Sequence, residues 1–130
     1  MAGWAAAPPL ARHLGIEDGG AAEGVARLRL PHRPEIANRK GDIHGGAVAT
    51  LLDMVAANAV RSLVPDAAGL STITLTTAFV APARGVLAAE GKALQAGGSV
   101  AFAEARVTDE AGRLVATAQG SWRIIRKAVT

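Results

Sequence analysis

The sequence predicts a two-layer α+β domain in which an antiparallel sheet curls around one long buried helix. Three observations lead there. From about position 44 or 45 to 63 run about five turns of alanine- and leucine-rich chain, interrupted by few polar side chains (Thr50, Asp53, Asn58 and Arg61), and a helix apolar nearly all round belongs inside a fold. The chain after that helix reads as strands joined by short turns. One strand precedes it, so the order is strand, helix, meander, which a sheet wrapped on a single helix satisfies. At 130 residues the chain is one domain with room for a core, read here as an N-terminal arm over 1–14 and a single domain over 15–130.

The elements follow in order. The arm is read as holding a single short helical turn at 10–14. Gly19 and Gly20 break the chain, and Val25, Ala26, Arg27, Leu28, Arg29 and Leu30 then alternate apolar and basic, as a strand with one wet face does. Pro31 and Pro34 end it, and 31–43 is a polar linker. Pro65 and Gly69 close the helix. The threonine-, isoleucine- and valine-rich run 71–80 is a strand that Pro82 stops. A strand over 86–95 and the hairpin signal Gly97-Gly98-Ser99 lead into 100–108, where Ala101, Ala103, Ala105 and Val107 alternate with Phe102, Glu104 and Arg106. A turn at 109–112 precedes a last strand over 113–125.

Composition removes several functions. There is no cysteine, which excludes disulfides, thiolate zinc sites and a cysteine nucleophile, and is compatible with a cytoplasmic protein. The N-terminus has no basic leader and is cut by Pro8 and Pro9, so it is a poor signal peptide. The longest apolar stretch is too short, and too interrupted by Asp53 and Asn58, to span a bilayer. The net charge is +3, from 14 basic and 11 acidic residues, and the basic residues are scattered outside the tail of Arg123, Arg126 and Lys127. With no tyrosine, two phenylalanines and two tryptophans, stacking platforms for nucleic acid are scarce. His13, His32 and His44 lack ligand spacing, so no metal is expected. Gly98-Ser99 lacks the glycine pattern of a serine nucleophile elbow.

What remains is the loop and helix beginning NRKGDIHGGAVATLLD. His44-Gly45-Gly46 falls where the helix begins, and the first amides of a helix have no intrahelical acceptor and carry the positive end of its dipole. Glycine there lets a polarised carbonyl approach the backbone, as an oxyanion hole requires; close packing on a strand is the other reading. Asp53 is a carboxylate in an apolar run, costly unless paired, solvated or working; pairing with Arg61 or another base is the bland alternative. Asp53 lies eight positions past Gly45, about 12 Å along the axis at roughly 1.5 Å per residue. If both act on one bond, they come from different chains with antiparallel helices.

The run of Asn38, Gly41, His44, Gly45, Gly46, Leu51, Leu52 and Asp53 resembles the signature of the hotdog-fold acyl-CoA thioesterases of the phenylacetate-degradation (PaaI-like) type. The likeness extends over about 10–126, through His13-Leu14-Gly15-Ile16, Arg27 to Leu30, Ala78-Phe79-Val80-Ala81-Pro82-Ala83 and the strand with Ala116 to Gly120. The resemblance implies a five- or six-stranded antiparallel sheet around the helix, two chains paired into one continuous sheet, and a dimer or dimer of dimers. It implies that the Gly45 amide polarises a thioester carbonyl, with His44 and Asn38 positioning it. Asp53 of the other chain then activates water or attacks directly, and Ser71 orients the water. Gly46, Arg84 and Lys92 are the expected substrate contacts, the two cations toward coenzyme A phosphates, and Ala47, Val48 and Ala56 the acyl pocket. No cofactor is implied. A non-catalytic acyl-CoA-binding module and a hotdog hydratase or dehydratase are the alternatives.

Overall fold

The computed structural model describes Trp4 and residues 6–127. Its elements are α1 (Pro9–Leu14), β1 (Glu17–Ala22), β2 (Val25–Leu30), a 3-10 turn (Pro34–Ile36), α2 (Gly45–Leu63), β3 (Gly69–Phe79), β4 (Leu87–Gly97), β5 (Val100–Thr108) and β6 (Leu114–Ile125). The strands form one six-stranded antiparallel sheet in the order β1-β2-β4-β5-β6-β3. The α+β class and the sheet around one long helix are as the sequence predicts.

The alternation in β5 does what a half-buried strand requires. Ala101, Ala103, Ala105 and Val107 are buried against α2, while Phe102 and Arg106 face out. Small inward residues bring the helix very close. At Gly91 of β4 an added Cβ would lie 2.3 Å from the Val55 carbonyl oxygen of α2, so helix backbone rests on strand backbone there. Leu30, Leu51, Leu52, Leu87 and Trp122 are the largest side chains filling the remaining space.

Two readings of the sequence are corrected. Gly19 and Gly20 do not break the chain: β1 runs through them, with a register shift between Asp18 and Ala21. They form a bulge in an edge strand, and Gly20 adopts a φ of 94°. The helix is also not buried all round. The sheet covers one side, leaving Ala49, Thr50, Asp53, Met54 and Ala57 half-buried and Arg61 exposed. On the arm, α1 packs onto the domain through Ala11, which is 0% exposed, and Ile16 N–H donates to the Ala11 carbonyl at 2.9 Å. No helix among the described residues is long and apolar enough to cross a membrane.

Candidate active site

The loop before α2 is closed by its own hydrogen bonds. Asn38 N–H donates to the Asp42 carbonyl (2.7 Å) and Gly41 N–H to the Asn38 carbonyl (3.0 Å). The Asn38 side-chain oxygen accepts from the amides of Lys40 (2.9 Å) and Asp42 (3.2 Å), the local pattern for which asparagine is favoured in turns. Its oxygen therefore shapes the loop, while its amide NH2 makes no hydrogen bond among the described residues. Ile43 N–H donates to the Ala83 carbonyl and His44 N–H to the Ile36 carbonyl, both at 2.8 Å, which fixes where the helix starts.

His44 is the N-cap of α2. Its Nδ1 accepts the Gly46 N–H at 2.8 Å, so Nδ1 is unprotonated and the ring proton of the neutral imidazole is on Nε2. The amides of Ala47 and Val48 donate to the His44 carbonyl at 2.9 and 3.1 Å. Of the first helical amides, only Gly45 N–H is left without an acceptor among the described residues. A Cβ on Gly45 would meet the Phe79 ring at 3.5 Å, so the backbone here lies bare beside the end of β3. It opens on a cavity of about 350 Å³ lined by Asn38, Lys40, Gly45, Val48, Phe79 and Pro82.

Gly46 belongs elsewhere. Its N–H is taken by His44, and it borders a second cavity, of about 540 Å³, with Leu10, His13, His44, Ala47 and Thr50. Of the expected acyl-pocket residues, Val48 lines the first cavity and Ala47 the second. Ala56 is buried under β4, its amide facing Gly91, and lines neither.

Asp53 makes no ion pair among the described residues, with Arg61 or any other base. Thr72 Oγ1 donates to Asp53 Oδ1 at 2.8 Å, and the Trp122 indole Nε1–H donates to the same oxygen at 3.2 Å. Oδ2 receives no donor among the described residues. Ser71, the hydroxyl expected here, is on the other face of β3: Ser71 pairs with exposed Arg123 and Thr72 with buried Trp122. Successive strand residues point to opposite sides, so only one of the two hydroxyls can reach the helix.

The cations divide too. Arg84 Nε donates to Asp42 Oδ1 at 2.8 Å; the Asp42 side chain is 8% exposed and that of Arg84 67%, so Arg84 covers a buried carboxylate beside the first cavity. Lys92 is on the outward face of β4, opposite Glu104, in a separate depression of about 570 Å³ with Glu90, Arg106 and Gln119. It is not brought to Gly45 within the chain. Lys40 lines the Gly45 cavity instead. Nothing in its sequence context distinguished it from the other polar linker residues. Among the described residues no cluster of three potential metal ligands forms.

The thioesterase superfamily profile matches residues 40–116, a span that holds Gly45, Asp53 and all of the Gly45 cavity's named lining but Asn38. This chain belongs to the thioesterase superfamily. A Halobacterium salinarum protein described as a candidate esterase is 37% identical over 124 residues, covering 87% of this chain and 82% of that protein. A second candidate esterase, from Saccharolobus solfataricus, is 34% identical and covers 82% and 76%. A conserved Pseudomonas aeruginosa protein superposes with a TM-score of 0.86 at 26% identity, over 92% of this chain and 95% of that one. PaaI of Escherichia coli, from the phenylacetic acid degradation operon, gives 0.84 at 22%, over 95% and 88%, and shows the shared fold. The thioesterase is thus a thioester hydrolase with the hotdog architecture.

Proposed function

We propose that this thioesterase hydrolyses a small or medium acyl-CoA, aromatic or aliphatic, to the free acid and coenzyme A. It does so at a site shared by two chains, without metal or organic cofactor. The observation that carries this reading is the unpartnered Gly45 N–H at a helix N-terminus, open to a cavity beside Lys40. The thioester oxygen accepts from that amide, where the helix dipole stabilises the developing charge. Asp53 of the second chain takes a proton from water as the oxygen attacks the carbonyl carbon. The carbon–sulfur bond then breaks, and the thiolate takes up the proton. Asn38 NH2 faces the same reaction from the loop, His44 helps position it by capping the helix that presents Gly45, and Lys40 and Arg84 meet the phosphates of coenzyme A.

The edge of β3 supports the pairing. β3 ends the sheet, and Ile73 and Phe79 along it and Val80 just beyond it are exposed. Antiparallel β3–β3 pairing brings the start of one strand, where Thr72 holds Asp53, toward the end of the other, where Phe79 lies on Gly45. The expected assembly is a dimer or dimer of dimers, in the cytoplasm.

The test is thiol release from a panel of acyl-CoAs, run beside simple oxygen esters, with Asp53→Asn as control. The variant should lose about 10²- to 10⁴-fold in kcat, as for removal of a general base. An Asp53→Asn enzyme with full activity, or an active monomer in sedimentation, would overturn the mechanism. Failure to hydrolyse any acyl-CoA while still binding coenzyme A would replace it with a binding module.

A further inference from the structure

Trp122 is 1% exposed, and its indole nitrogen is one of two donors on Asp53 Oδ1. An indole N–H in a core needs an acceptor, and here the acceptor is the carboxylate assigned to the chemistry. The ring's location is built, not incidental. A Cβ on Gly120 would fall 2.8 Å from Trp122 Cη2 and 2.4 Å from the Thr74 carbonyl oxygen, so glycine leaves the lane in which the indole lies. Thr72, by contrast, is on edge strand β3, with an exposed side chain. One tether of Asp53 is anchored in the core and the other at the rim.

We infer that Trp122 is a positioning residue for Asp53: its indole N–H and the Thr72 hydroxyl lock Oδ1, so Oδ2 is the oxygen that meets the attacking water. This rests on the proposed role of Asp53. With both donors on one oxygen, Oδ1 is held by β3 and β6, and Oδ2 has no donor among the described residues. An unlocked carboxylate would share its time between orientations, and the loss would fall on the reacting state and not on binding.

Two measurements test it. Trp122→Phe keeps most of the ring and removes the N–H. Its kcat should fall about tenfold, the low end for losing one hydrogen bond to a charged group because Thr72 remains, with KM unchanged. The chain has two tryptophans, hence two indole N–H resonances. In Asp53→Asn the Trp122 resonance should move upfield while that of Trp4 stays. A Trp122→Phe enzyme with wild-type kcat, in a protein whose Asp53→Asn form is inactive, would overturn the inference and leave the role of Asp53 standing. So would an indole resonance indifferent to Asp53→Asn, which decides the matter even if Trp122→Phe folds poorly. Full activity in Asp53→Asn would instead remove the reading on which the inference rests.

Discussion

Gly91→Ala is the perturbation through which packing of the fold and geometry of the site can be tested together. The new Cβ would be 2.3 Å from the Val55 carbonyl oxygen, 2.7 Å from its carbon and 3.0 Å from the Ala56 nitrogen. The closest of these is about 1.1 Å short of the 3.4 Å at which ordinary contact begins. All three atoms are backbone of α2, so no side chain can rotate away; the helix or β4 must move by most of that distance. Overpacking a core costs about 1–3 kcal/mol, and a backbone-on-backbone clash belongs at the upper end. For a domain of this size about 3 kcal/mol lowers Tm by roughly 10 °C. Gly97→Ala is the matched control: the same strand, with nothing within 4 Å of the added Cβ. Thermal unfolding of the two variants beside wild type is the assay. A Gly91→Ala protein melting within about 2 °C of Gly97→Ala would refute the claim that helix backbone rests on β4. Because α2 carries both Gly45 and Asp53, Gly91→Ala should also lose thioesterase activity below its melting transition, whereas Gly97→Ala should not.

Two further outcomes are expected. Asn38→Ala removes the acceptor for the Lys40 and Asp42 amides, so stability should fall by about 1–2 kcal/mol and both amides should lose hydrogen-exchange protection; retained protection would show that the loop closes without the side chain. Asp109 is held below its ordinary value of 3.8, chiefly by the Arg113 backbone N–H, with the Ala111 N–H and the Arg113 guanidinium adding to this against the effect of burial. A carboxyl lowered in the folded state contributes stability that is complete above its unfolded pKa and lost as pH falls through the folded one. Urea midpoints of wild type should therefore decline more steeply than those of Asp109→Asn below about pH 4, and parallel declines would count against the turn as the cause.

Much of this fold is legible in sequence because its signals are local. The helix shows as one long apolar run, and β5 as strict alternation. β1 was hidden because a double glycine reads as punctuation, whereas a bulge on an edge strand tolerates it. At the site, the helix start was visible in His44-Gly45-Gly46 and the reach between Gly45 and Asp53 in their spacing, while Asn38 stood out through the family resemblance. What surrounds Asp53 was not. Choosing Thr72 over Ser71 needs the phase of β3, and a register irregularity between Thr72 and Thr74 obscures that phase. Trp122 reads as a core aromatic, and only the tertiary fold brings its nitrogen to a carboxylate 69 positions away. Lys92 shows the same limit for charge: a basic residue in a strand reveals its face only when the sheet is assembled, and Lys40 meets its cavity only once the loop before α2 is folded.

The place of β3 at the end of the sheet has a consequence for how the chain is made. Its one partner within the sheet is β6, and all of β4 and β5 is translated between them. At about 5–20 residues per second, β3 waits roughly 2–7 s with neither edge paired. An unpaired strand is a template for other chains, and even after β6 arrives one edge stays open. Threonines at 72, 74, 76 and 77 lower the apolar content of this strand through the delay. Synthesis rate and chain concentration should therefore govern the yield of folded thioesterase more than the final stability does.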